Sequence, residues 1–516
     1  MTTPAPMIPP TPDMRPTTPE MLFPIFGACF SRPILQQWIK QAHLPHRLYW
    51  RVFTPLLTLW CLVVQRIMTD HTLDAVVSHV QTGAADQIDP QAIPVSARLT
   101  SERTSSFSQA RKRMPLALVQ WALRLISHVI ADSLPADQQT WHGHRVRLLD
   151  GTTFRALATD DLDQAYGRSA NQQGWTAWIT VRSVASFCLF NQMVIGYTEG
   201  SETTSEQAMV RTVMEQDTTG ALYVGDAHFG IYWVAQVTQA LGHQLIARLQ
   251  ASRFHALRRT VVGPSPCTSG QDWEVTWTPS RDGKIDPTLP ADPVTGRLLA
   301  IRLEKKGFRP KDLYLFTTLR DATAYPVAEI AALYGKRWQV ERDYRHIKTV
   351  LEMDTFAVQS AALLRLELAA GLLTYNMVCG LIAQAAQQAD LRPQQLSFAR
   401  CWRRIRDTLC GGVPSWVSDP QTHVLQRLAH CRLHHQPWKV AHEPRNVRHQ
   451  RQKYPTLRGD RDARGRKYCT RWARWILRRS TIQQGMIRRQ LSLLQQPTHR
   501  MKHPRKNHDW RCPEAT

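Results

Sequence analysis

Two short β-prone runs each end in an aspartate, and this pairing limits the fold of the chain more than any other feature. Arg145–Leu149 (RVRLL) runs into Asp150-Gly151, and Ala221–Gly225 (ALYVG) runs into Asp226. Further strand-like runs occupy Ala177–Leu189, Gln192–Tyr197, His243–Leu249 and Asp312–Leu319, with helical spacing at Ile231–Leu241. Strands alternating with helices predict an α/β layer architecture. In an open α/β sheet, side chains at the C-terminal ends of strands converge on the crevice where ligands bind. Taken singly, Asp150 reads as the first half of an Asp-Gly turn and Asp226 as a helix cap.

A second pattern follows in YGKRWQVERDYRHIK, within a helix predicted over Tyr325–Met353. Tyr334, Arg337, Glu341 and Lys348 fall on one stripe of it. At about 100° per residue their offsets from Tyr334 are roughly −60°, −20° and −40°, with Arg345 near +20°. An aromatic hydroxyl, cations and one carboxylate on a common face read, in isolation, as a salt-bridged surface helix. Together with Asp150 and Asp226 the reading changes. Three carboxylates from two strands and one helix can hold two hard cations about 3.5–4 Å apart, the arrangement that clamps the attacking and leaving oxygens of a phosphodiester.

Charge supplies the substrate class. The formal net charge is +24, and Ala441–Thr516 alone carries 20 Lys/Arg against 5 Asp/Glu. Such an excess favours a polyanionic partner, nucleic acid ahead of an anionic membrane surface. The ten cysteines include no C-x-x-C pair, which fits reduced thiols in a cytosolic protein. The first 20 residues hold 7 prolines and no apolar core, so they read as a disordered leader. Leu366–Ala386, the most apolar stretch, is interrupted by Glu367, Tyr375 and Asn376 and reads as a buried helix.

The spacing Y-x2-R-x3-E-x6-K resembles the signature of bacterial insertion-sequence transposases with an Asp-Asp-Glu triad, the cut-and-paste insertion-sequence-four group. DGTTFRA at Asp150, GDAHFG at Asp226 and HEPRNVRHQRQKYPTL from His442 agree, over roughly residues 100–460. The resemblance implies an RNase H-like catalytic core in which Asp150, Asp226 and Glu341 are the catalytic metal ligands for Mg²⁺ or Mn²⁺. It implies double-stranded DNA as partner (transposon ends and target), a homodimer in the synaptic complex, no membrane, and a place in the bacterial cytoplasm at the nucleoid. Tyr334, Arg337, Arg345 and Lys348 would contact DNA backbone, and Trp273 or Trp277 would stack on a flipped base. The chain departs from the family in carrying Ala227 and His228 after the second aspartate, where a basic residue and glycine are common; His228 becomes a candidate phosphate contact. A host RNase H-like nuclease, or a catalytically decayed DNA-binding remnant, would share the acids.

The expected layout is a Pro-rich leader (1–30) and a helical N-terminal domain that is a candidate DNA grip (31–140), with helices at Pro33–Leu44, Arg47–Ile67 and Ser106–Ile130. The catalytic core follows in two parts (141–250 and 312–395), split by a β-rich insertion (251–311), and a basic C-terminal region (396–516) ends the chain.

Overall fold

The computed structural model describes residues 14–15, 23–44, 48, 50–171, 174–261, 271–279, 288, 290–303 and 311–433. Most of the expected leader and all of the chain from His434 lie outside these.

Among the described residues, nine strands form one mixed sheet. In chain order they are β1 (Val146–Leu157), β2 (Trp178–Cys188), β3 (Val194–Ser201), β4 (Leu222–Gly225), β5 (Gln244–Arg248), β6 (Asp272–Trp277), β7 (Val294–Leu303), β8 (Lys311–Thr317) and β9 (Thr355–Phe356). Across the sheet the order is β3-β2-β1-β4-β5-β8-β7-β6, with β9 added to β1. β1 pairs antiparallel with β2 and parallel with β4 and β9. The strands expected in 251–311 are β6 and β7, and they extend this same sheet through β8. A helix not expected there, Ala251–Arg258, leads into them. Residues 170–177 belong to a second unit, whose described part includes a two-stranded ladder, Ala170–Asn171 with Gly174–Trp175.

The helices used below are α1 (Pro24–Cys29), α2 (Arg32–Gln41), α3 (Pro55–Ile67), α4 (Ser105–Arg113), α5 (Leu116–Ser133), α6 (Glu206–Met214), α7 (Tyr232–Ala240), α8 (Ala251–Arg258), α9 (Val327–Gly335), α10 (Gln339–Arg345), α11 (Ala361–Gln388) and α12 (Phe398–Gly411). The leader gives way before residue 30, because α1 turns Phe26 onto Trp60 with ring centroids 5.2 Å apart. Helix α3 starts at Pro55 rather than Arg47: Thr54 caps it by accepting from the Leu57 N–H at 3.3 Å, and Pro55 fits the first helical position. The helix expected over 106–130 is two, bent by 79°, because Pro115 has no N–H to continue the ladder and pushes Met114 out of helical geometry.

Two helical layers sandwich the sheet. Leu149 and Val184 face Met209, Val210 and Val213 of α6 and Val234 and Val237 of α7. Val146, Leu148, Phe154 and Ala156 face the larger cluster built around α3, α5 and α11. Burial on both sides explains why these strands read as continuous apolar runs rather than alternating ones. Helix α11 is long and apolar enough to cross a membrane, and 94% of its most apolar window is buried inside the protein. Its Asn376 donates to Ser127 Oγ and to the Val194 carbonyl, both at 2.7 Å, and accepts from the Val194 N–H at 2.9 Å, tying α5, α11 and β3 together. Its Glu367 is held between Arg66 of α3, at 3.3 Å, and Arg111 of α4.

Beneath the first aspartate, Arg147 of β1 and Asp217 form a fully buried ion pair at 2.5 Å. Replacing Arg147 with Met would strand a carboxylate in the core, and the expected loss is about 3–5 kcal/mol of unfolding free energy, read by urea denaturation. A loss under about 1 kcal/mol would show that the pair does not anchor β1.

Candidate active site

Asp150 and Asp226 meet because β1 and β4 are parallel and in register. Leu149 lies opposite Gly225, so the next residue of each chain is an aspartate at the same level of the sheet. Both project away from the face on which Leu149 packs, since side chains alternate along a strand. Asp150-Gly151 is not a turn: β1 continues to Leu157 on its antiparallel pairing with β2, and only the parallel partner β4 stops. The site therefore opens where one side of β1 loses its neighbour. Asp226 does cap a turn, since its Oδ1 accepts from the His228 N–H at 2.8 Å. The following helix begins only at Tyr232.

The predicted helix over Tyr325–Met353 crosses this opening in pieces. Helix α9 is followed by a 3₁₀ turn at Lys336–Trp338, then α10, then a π-helical turn at His346–Val350. The segment nevertheless reaches β1. The Tyr344 hydroxyl donates to the Asp150 carbonyl at 2.9 Å, and Lys348 Nζ donates to the Thr153 carbonyl at 2.5 Å. Arg337 lies between two of the acids, 4.0 Å from Asp150 Oδ2 and 3.4 Å from Glu341 Oε1. Asp226 belongs to the same charge cluster and influences both Asp150 and Tyr334.

Burial divides the stripe. Tyr334 and Arg337 are buried, whereas Glu341 has a half-exposed side chain and Arg345 is exposed. The Tyr334 hydroxyl has its pKa raised by that burial, with Arg337 opposing. Lys348 rests on β1, also 3.8 Å from Asp354 Oδ1 and 5.5 Å from the Phe154 ring centre. Trp277 is buried against Phe316, centroids 4.9 Å apart, and so has no ring face free for a base. Trp273 is partly covered, with the Arg258 guanidinium 4.5 Å from its ring centre. The exposed indole at the site is Trp338, 61% accessible, with Arg337 at 4.6 Å from its ring. Periodicity drew attention to the stripe and passed over this neighbour, although RW within the motif was the signal.

Glu206, the first residue of α6, also went unnoticed in the sequence. Its carboxylate fills the space beside Gly151: a Cβ there would lie 2.3 Å from Glu206 Cδ. It sits 3.8 Å from His228 Nε2, so the exposed His228 faces an acid. Burial pushes the Asp150 carboxyl up to about 6, reinforced by Asp226 and Glu206 and opposed by the Gly151 N–H and Arg337.

Among the described residues no three His, Cys, Asp or Glu side chains stand close enough to bind one metal ion. The chemistry nonetheless suits a hard cation. The donors are all carboxylate oxygens, burial and then the neighbouring Asp226 raise Asp150, and a guanidinium already stands between Asp150 and Glu341 as a positive counterpart. Asp150, Asp226 and Glu341 are the residues that would hold such an ion.

Residues 141–377 match the family described as transposase DDE domain. The transposase InsG for insertion sequence element IS4 of Escherichia coli (strain K12) is 25% identical over 323 residues, 59% of this chain and 70% of that protein. These matches support a DDE transposase of the IS4 family. A solved piggyBac transposase synaptic complex with hairpin DNA has a TM-score of 0.35 at 10% identity, covering 80% of this transposase and 85% of that chain.

In this transposase an ionised Asp150 costs stability while no cation is bound. Its folded pKa lies above its unfolded value of 3.8, so the penalty is absent below about pH 4 and complete above about pH 6, reaching about 3 kcal/mol. Without metal, Asp150→Asn should therefore match the parent near pH 4 and become the more stable protein by pH 8 in urea unfolding. A stability gap that does not change with pH would exclude burial as the cause.

Proposed function

We propose that this DDE transposase cuts and joins DNA at the cluster of Asp150, Asp226 and Glu341. The observation carrying this reading is the convergence of two register-matched aspartates with a helix-borne glutamate that shares the Arg337 guanidinium with Asp150. The strand order around β1 and the helix that crosses it fit an RNase H-like core, with β6 and β7 as the β-rich part that follows the second aspartate.

Each step is an in-line phosphoryl displacement. Water attacks a phosphodiester at the element end, the bond to the 3′ oxygen breaks, and that oxygen leaves with a proton as a free 3′-OH. The 3′-OH then attacks the opposite strand or the target DNA in the same way. Asp150, Asp226 and Glu341 would hold Mg²⁺ or Mn²⁺, which would supply positive charge for the attacking and leaving oxygens. The carboxylates are held by β1, by the turn that follows β4 and by α10. Arg337, buried beside them, is placed to exchange its acids for a phosphate, which Arg binds well. Arg345 and Lys348 extend the backbone contact and His228 flanks it; such contacts set register without reading bases. Trp338 offers an open ring face beside the cut, suited to any unstacked base. The partners are transposon ends and target DNA, handled by a homodimer in the bacterial cytoplasm at the nucleoid.

Purified protein with Mg²⁺ and its own terminal inverted repeats should break both strands at the ends. Asp150→Asn, Asp226→Asn and Glu341→Gln should each slow cutting at least about 100-fold, a barrier rise near 3 kcal/mol, with end binding little changed. Cutting at the parental rate by Glu341→Gln would remove that residue from the site. Trp338→Ala should slow the step that needs an unstacked base by the value of one stacking contact, about 1–3 kcal/mol, in a single-turnover gel assay. If Trp273→Ala showed that defect and Trp338→Ala did not, the stacking role would pass to Trp273.

A further inference from the structure

Helix α12 has two unlike sides. Phe398, Cys401, Trp402, Ile405, Thr408 and Leu409 are buried, and the opposite side presents Arg400, Arg403 and Arg404 to solvent. Arg400 donates to the Arg432 carbonyl at 3.1 Å, which brings a fourth exposed arginine alongside. Asp407 is the one acid on that side of the helix, and among the described residues none of the four guanidiniums pairs with it or with another carboxylate within 4.0 Å. Like charges spaced three and four residues apart repel along a helix. The face is thus destabilising on its own and becomes favourable when an anion covers it.

The face is fixed to the candidate active site. His346, which follows Arg345, lies flat on Phe398 at the start of α12, with ring centroids 4.5 Å apart and planes 10° apart. Arg400 to Arg404 rises about 6 Å along the axis at 1.5 Å per residue, so the guanidiniums can meet separate phosphates. Guanidinium is the side chain best matched to phosphate oxygens.

We propose that Arg400, Arg403, Arg404 and Arg432 form a second DNA-backbone contact, outside the catalytic cluster, that grips duplex without regard to sequence. This contact rests on the DNA-transposing function argued above. The occupant is duplex DNA because a rigid row of fixed positive charges complements a regularly charged polyanion.

The test is equilibrium binding of the full chain to duplex DNA over a salt series, with the parent, the triple variant R400A/R403A/R404A and the matching triple lysine variant. Loss of three phosphate contacts should flatten the slope of log K against log salt by about 2.7 for transposon-end and unrelated duplexes alike. The lysine variant should keep most of the parental slope. Should the alanine variant fail to fold by circular dichroism, Arg403→Glu alone should weaken binding most at low salt. A parental slope in the alanine variant overturns the proposal. So does a loss of binding to anionic phosphatidylserine vesicles with DNA binding intact. A parent chain that binds no duplex at all would sink the proposed function itself, and this contact with it.

Discussion

Everything in the site follows from one ladder: the parallel pairing of Val146–Leu149 with Leu222–Gly225. Four residues of shared register set two carboxylates beside each other at the place where the sheet opens. A slip of one residue would turn either aspartate onto the opposite face, into the apolar layer of α6 and α7. Arg147 of this ladder pairs with the buried Asp217, which lies between α6 and β4, so charge as well as packing holds β1 in place. The acids are then left with a surplus of negative charge that the fold itself answers with a guanidinium.

That answer has a thermodynamic side. Arg337 is buried, and its Nε finds no hydrogen-bond partner among the described residues. Its position between Asp150 and Glu341 compensates part of its own desolvation and part of theirs. A cation entering the cluster must displace this interaction, and a phosphate arriving beside it would give the guanidinium a new partner. On the proposed function, metal and DNA would be coupled through one side chain, and such coupling is reciprocal.

Much of this was legible in the sequence. The two aspartates stood out because apolar runs ended at them, and the stripe because helical periodicity isolates one face. What remained hidden depended on partners far along the chain. That β1 continues through Asp150 follows from the length of β2, which no local pattern around residue 150 encodes. The helical wheel put Tyr334, Arg337, Glu341 and Lys348 on one face but could not say that the fold buries the first two and leaves Glu341 exposed. Trp273 and Trp277 share a strand face by alternation; that this face is covered depends on Phe254 of α8 and Tyr232 of α7. Glu206 became visible only when Gly151 proved to be the residue making room for it.

The transposase family match begins at residue 141, but the hydrophobic core does not. Leu118, Leu123, Ile126 and Ile130 of α5 belong to the same cluster as α11, and Ile130 fills the gap left by Gly380. Asn376 bonds both to that helix and to a strand of the sheet. The helical segment ahead of the catalytic region is thus structural mortar rather than a detachable module. Expression of the matched region by itself would bare a long greasy seam and leave an amide without its hydroxyl, a recipe for inclusion bodies.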